Sequence, residues 1–219
     1  MFEETERMKE IIVRLETRFP VTIPFQSDAF SVLIRTILSQ NTSEQNSSLA
    51  FERLNEHYSV KPEILSKLDP NDLKPLIRVA GLHKVRSNRI IEISKIILKR
   101  FHGSLESVLE LPLHEARRTL LSLHGVGFKT ADILLCFVGG VAIMPIDTNI
   151  FRVVNRIGFV EGRNYERVRS VLEKLIPPEK IPKMHLLLIK HGREICKPRQ
   201  PNHKTCPINN FCDFIKTMP

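Results

Sequence analysis

Leu123-His124-Gly125-Val126-Gly127-Phe128-Lys129-Thr130-Ala131, followed after an apolar run by Pro145-Ile146-Asp147-Thr148-Asn149-Ile150-Phe151-Arg152, is the stretch that decides how this chain folds. Two glycines in three residues let a turn take left-handed angles and let its backbone approach another molecule without a side chain between them. A helix opening at Phe128 would point its first amides outward, where they attract a phosphate. Lys129 falls in that first turn, and an acid, Asp147, opens the next helix. An eleven-residue helix from Phe128 to Val138 is about 16 Å long. The return segment to Ile146 reaches up to roughly 26 Å. Asp147 can therefore come back beside Lys129, although the spacing does not force it to. Each residue also has a plainer reading: a helix cap for Asp147, a surface amine for Lys129, a tight turn for the glycines.

Outward from this centre, helical periodicity dominates. Met8, Ile11, Ile12 and Leu15 recur at one-face spacing, as do Phe30, Leu33, Ile34 and Ile37. Breaks are expected at Pro20 and Pro24. The polar cluster Leu38-Ser39-Gln40-Asn41-Thr42-Ser43 can cap a helix running to about Tyr58. Short helical pieces are expected around Pro62, Pro70 and Pro75. A second glycine turn, Val79-Ala80-Gly81-Leu82-His83-Lys84, leads into a basic helix carrying Arg86, Arg89, Lys95, Lys99 and Arg100, with Ile90, Ile93 and Ile97 on its buried side. Leu105–Leu111, then Leu113, Ala116 and Leu120, lead to the central turn. Ala131, Leu134, Leu135 and Val138 mark a buried helix ended by Gly139-Gly140. Ile150, Val153, Val154 and Ile157 mark the next, and helical spacing continues to about Ile195. No alternating strand pattern stands out, so the fold class is all-α.

With 33 Lys and Arg against 24 Asp and Glu, the chain has a formal net charge of +9 and a pI near 9.6. That balance favours a polyanionic partner, and without a long apolar run nucleic acid comes before a membrane. The acidic start, Met1-Phe2-Glu3-Glu4-Thr5-Glu6, has no apolar signal region. A soluble intracellular protein is expected, so its four cysteines read as thiols or metal ligands before disulfides. Cys136 sits in an apolar helix and reads as core. Cys196, Cys206 and Cys212 cluster near the C-terminus.

The central stretch, with Ile146-Asp147-Thr148-Asn149, resembles the endonuclease III family of helix–hairpin–helix DNA glycosylases. Leu38-Ser39-Gln40-Asn41-Thr42 resembles that family's first DNA loop, Gly81-Leu82-His83 its second, and the cysteine tail its cluster motif. The resemblance spans nearly the whole chain. It implies a six-helix barrel domain over about residues 22–140. A discontinuous helical domain from residues 1–21 and 141–219 would carry the metal cluster. It further implies a monomeric cytoplasmic, nucleoid-associated glycosylase and abasic-site lyase that removes oxidised pyrimidines from double-stranded DNA with a damaged base or abasic site, the rival readings being a thymine or adenine mismatch glycosylase and a catalytically silent DNA-binding module.

By the same resemblance Lys129 attacks the sugar C1′, and Asp147 stabilises the positive charge that develops there or helps deprotonate the nucleophile. A free lysine titrates near ~10.4 and needs its helix dipole and desolvation to act as an amine. The target base must leave the stack. Gln40 then fills the vacated space, Leu82 wedges into the stack, and Asn41, His83, His124, Gly125, Val126, Gly127, Thr130 and Asn149 lie at the DNA face. Lys84 and Arg86 are expected at phosphates, while Arg89 and Lys95 are left as solvated charges.

Departures from the family pattern accompany this. The tail reads Cys196-x6-His203-x2-Cys206-x5-Cys212, with histidine in the second cysteine's place. A [4Fe–4S] cluster is expected, with His203 as fourth ligand or as neighbour of an incompletely protein-ligated cluster. Three cysteines and a histidine also make a structural zinc site. Asn149 stands where the family usually has histidine, as in the adenine and mismatch branches, and His124 replaces a common proline. Both bear on base preference.

Overall fold

A computed structural model describes residues 2–23 and 28–216, apart from the side chain of Phe2; the break expected at Pro24 lies outside them. Among the described residues there are helices and turns and no strand. The chain forms two compact units, Gln26–Val141 and a discontinuous one made of Met1–Phe25 with Ala142–Pro219.

The first unit holds six longer helices and two four-residue turns of helix. In order these are α2 (Ala29–Ser39), α3 (Glu44–His57), α4 (Pro62–Leu65), α5 (Pro70–Ile77), α6 (His83–Phe101), α7 (Glu106–Leu109), α8 (Leu113–Leu121) and α9 (Phe128–Phe137), α1 (Phe2–Arg18) lying in the other unit. The polar cluster before α3 caps it as expected, Ser43 accepting from the Asn46 amide. Leu33, Ile34, Ile37 and Leu38 of α2, Ile90, Ile93 and Ile97 of α6, and Ala131, Leu134 and Leu135 of α9 are all buried, so one apolar centre joins three helices far apart in sequence. Each such side chain contributes roughly 1.5–3 kcal/mol by leaving water.

The other unit packs α1 (Phe2–Arg18), α10 (Thr148–Ile157), α11 (Tyr165–Leu175) and α12 (Ile181–Glu194), with a short α13 (Asp213–Lys216). Met8, Ile11, Ile12 and Leu15 of α1 are buried, as are Ile150, Val153, Val154 and Ile157 of α10. The run read as continuing to Ile195 is two helices, because Pro177 and Pro178 interrupt it with a 3-10 turn. Proline withholds an amide and clashes with the preceding turn, so one helix cannot pass through.

Candidate nucleic-acid interface and metal chamber

In the Gln26–Val141 unit, α8 and α9 flank the glycine hairpin and pack on each other. Gly125 takes φ +84°, the left-handed angle that the turn requires. A Cβ there would lie 2.4 Å from Arg89 Cδ and 2.6 Å from its Nε. Gly127 has φ −93° and open space where its Cβ would be, so fold alone does not demand glycine at this position. α9 opens on Gly127 without a side-chain cap, and the half-buried Lys129 is its second residue. Gly125→Ala is expected to cost about 1–2 kcal/mol from the backbone alone. Gly127→Ala should unfold in urea like wild type and lose only affinity for duplex DNA. Urea curves and a fluorescence-anisotropy titration of both variants check the contrast.

The other two loops adopt unusual backbones at their tips. Asn41 has φ 53° and is exposed. Leu82 has φ 50° and is 59% exposed. A large apolar side chain held outward on a left-handed residue is strained and unburied, which points to a role outside the fold. His83 is half-exposed, and Lys84 and His124 are exposed.

Two of the expected contacts are corrected by burial. Arg86 is 2% exposed, so it is no surface phosphate contact. Its guanidinium donates to the carbonyl oxygens of Ala80 (2.5 Å), Gly81 (2.8 Å) and Gln40. Thr130 is 3% exposed and belongs to the core beneath α9. Arg89, expected to be solvated, lies partly buried over Gly125 and donates from Nη1 to Gln40 Oε1 at 3.1 Å. Arg86 and Arg89 thus tie the Gln40 loop, the Gly81–Leu82 turn and the hairpin to one face of α6. Arg117 of α8 grips Asp132 of α9 with two bonds, Nε–Oδ1 2.6 Å and Nη2–Oδ2 3.2 Å, the carboxylate being fully buried.

In the other unit, Asp147 is the N-cap of α10, its Oδ1 accepting from the Ile150 amide at 2.8 Å. The plain cap reading is therefore correct as far as it goes. Its second oxygen accepts from Asn149 Nδ2 at 2.8 Å. Asn149 Oδ1 accepts in turn from Arg152 Nη2 at 2.7 Å, and Arg152 donates onward to the carbonyls of Gly192 (2.9 Å) and Cys196 (2.8 Å). The segment leading to Asp147 is pinned from α11: Met144 N donates to Glu173 and Ile146 N to the Tyr165 hydroxyl. Asn149 is thus an orienter of the carboxylate, and Arg152, which sequence reading passed over, orients Asn149.

Cys196, Cys206, Cys212 and His203 line one chamber together with His191 and Arg156. His203 Nε2 and His191 Nδ1 are buried without a hydrogen-bond partner. Burial pushes the Cys206 thiol up to about 11, the nearby cysteines adding to it, and holds the His191 imidazole down at about 4. Arg156 donates to Cys196 Sγ at 3.3 Å and to the carbonyls of Lys197 (2.8 Å) and Pro198 (2.9 Å). Among the described residues no three His, Cys, Asp or Glu side chains are gathered round a single ion position. Soft thiols beside two unpaired imidazole nitrogens, with a guanidinium donating to one sulfur, are the donor set that fits a thiophilic metal group. Cys136 is a buried core residue of α9.

The described residues thus build a helix–hairpin–helix with an amine just behind the hairpin, and a cysteine chamber in a separate unit. Residues 34–178 match the family described as HhH-GPD superfamily base excision DNA repair protein. The chain is 34% identical over 209 residues to endonuclease III of Thermotoga maritima, covering 95% of this chain and 93% of that one. It is 34% identical to endonuclease III of Escherichia coli K12 over 94% of each chain. A trapped endonuclease III–DNA covalent intermediate superposes with TM-score 0.83 at 26% identity, covering 97% of both chains. A thermostable thymine-DNA glycosylase shares the fold, with TM-score 0.81 at 22% identity over 99% of this chain and 98% of that one. The chain belongs to the endonuclease III family of the HhH-GPD superfamily, and is a base-excision repair enzyme. No described helix is long and apolar enough to cross a membrane.

Proposed function

We propose that the chain is a bifunctional DNA glycosylase and abasic-site lyase that removes oxidised pyrimidines from duplex DNA as a monomer. The observation that carries this reading is Lys129, half-buried in the first turn of the uncapped helix behind the glycine hairpin. The similar structure trapped as a covalent intermediate on DNA supports an amine in this role.

In the proposed reaction the neutral Nζ of Lys129 attacks C1′ and the base leaves with the glycosidic electron pair, taking a proton. The sugar ring opens to an iminium. Loss of a C2′ proton then expels the 3′ phosphate by β-elimination. Asp147, fixed by Asn149 and the Ile150 amide, stabilises the positive charge on the sugar. Gln40, Asn41, Leu82, His83, Lys84, His124 and the backbone from Gly125 to Gly127 make up the DNA contacts on the hairpin-bearing unit. Asn149 acts through Asp147. The side chains of Arg86 and Thr130, being buried, stay out of these contacts.

A [4Fe–4S] cluster in the chamber, held by Cys196, Cys206 and Cys212 with His203 as the fourth ligand, would pin the basic tail bearing Lys197, Arg199 and Lys204. Protein purified anaerobically is expected to be yellow-brown, with iron and sulfide and a broad visible absorption. Colourless protein containing zinc would replace the cluster by a Cys3His zinc site.

Asn149 favours a second reading, a glycosylase for thymine or adenine mismatches. Single-turnover base release from duplexes carrying one oxidised pyrimidine, a G·T pair or an adenine mismatch decides between them. Release confined to the mismatches would reject the oxidised-pyrimidine assignment.

A further inference from the structure

The hydrogen bond between Arg89 and Gln40 fixes more than a loop. A guanidinium only donates, so the atom of Gln40 that faces Arg89 Nη1 at 3.1 Å must be the side-chain oxygen. The amide NH2 then points away from Arg89, and no described residue accepts from it. Gln40 is held a second time by its own carbonyl, which accepts from the buried Arg86. Arg89 itself has little freedom. Its stem lies where a Cβ on Gly125 would be, and its Nε is buried without a partner. An Asn or Gln in an open loop can rotate its amide to suit either a donor or an acceptor; this one cannot without losing a charge-assisted bond.

We infer that Arg89 is a specificity-determining positioning residue, which holds the Gln40 amide with its NH2 outward so that it meets a hydrogen-bond acceptor on the base left unpaired opposite the lesion. The inference rests on the proposed reading that Gln40 enters the space left by the extruded nucleotide. A carbonyl oxygen or unprotonated ring nitrogen on the opposite base satisfies the amide; a spacer lacking a base cannot.

The test is borohydride trapping on duplexes with one abasic site, placed opposite each of the four bases and opposite a base-free tetrahydrofuran spacer. The quantity read is the ratio of trapping rate opposite a base to that opposite the spacer. Arg89→Met keeps the stem over Gly125 and removes the donor. It is expected to lower the ratio opposite the preferred base by about tenfold, equivalent to about 1.4 kcal/mol. Arg89→Lys keeps a donor and should retain most of it. In Gln40→Leu the ratio falls equally, and adding Arg89→Met lowers it no further. Should Arg89→Met not fold, Gln40→Glu serves: it keeps a partner for Arg89 but has no donor to present, and should match Gln40→Leu.

A loss in Arg89→Met that is uniform across bases and spacer would show a structural role and overturn the inference. So would an unchanged ratio, or a Gln40→Glu ratio equal to wild type. Wild-type protein that traps on none of the duplexes fails the lyase reading instead.

Discussion

Lys129→Gln is expected to abolish trapping on abasic DNA, with the adduct forming about 10³-fold or more below wild type. The size of the effect follows from the chemistry: an iminium needs a primary amine, and an amide nitrogen cannot supply the lone pair. The position makes the variant informative. Lys129 is the second residue of α9 and half-buried, and glutamine is nearly as good a helix former, so the fold should be unchanged. Removing one cationic contact at the DNA face lowers affinity by about tenfold at most at moderate salt. Trapping kinetics beside an anisotropy titration and a urea curve separate these contributions. Equal trapping by wild type and Lys129→Gln would assign the nucleophile elsewhere.

How far the residue order revealed this arrangement depended on what each residue must satisfy. Helices and their buried faces were legible because apolar spacing repeats. The glycine hairpin was legible because glycine is the residue that takes a φ such as the +84° of Gly125 without steric cost. The arginines were misread. The resemblance places Arg86 at phosphates, yet the residue shares the helical stripe of Ile90, Ile93 and Ile97, and that periodicity is the available sign of its burial. Thr130 lies likewise one turn before the buried Leu134. Asn149 was read for base preference, while in the structure its amide bonds the Asp147 carboxylate and the Arg152 guanidinium. Nothing in the local spacing marks such a relay, because Arg152 finds its remaining acceptors at Gly192 and Cys196, some forty residues on. His191 was missed for the same reason: it is remote in pattern from the x6-x2-x5 motif but faces the same chamber.

The pair beneath the hairpin carries the largest expected effect on stability. Asp132 has no exposure at all, and Arg117 grips both its oxygens while its guanidinium also lies 5.1 Å from the Phe128 ring centroid. Arg117→Met keeps the apolar stem and removes the charge, and with it both guanidinium bonds to the buried carboxylate. Such a loss costs about 3–5 kcal/mol, because the remaining ion cannot regain its hydration. For a chain of this size that corresponds to a fall in Tm of roughly 10 °C. Asp132→Asn removes the opposite charge but keeps an acceptor for Arg117, and should cost less. Replacing both by apolar residues of similar volume, Arg117→Met with Asp132→Leu, should recover much of the loss, since desolvation of the pair offsets most of its attraction. The pair also ties α8 to α9 across the hairpin, so Arg117→Met protein that remains folded at low temperature should bind duplex DNA more weakly than wild type. Calorimetric melts of the three variants check the order of stabilities. A Tm for Arg117→Met within a degree or two of wild type would mean that the carboxylate is held by other partners, and that the hairpin does not depend on this bridge.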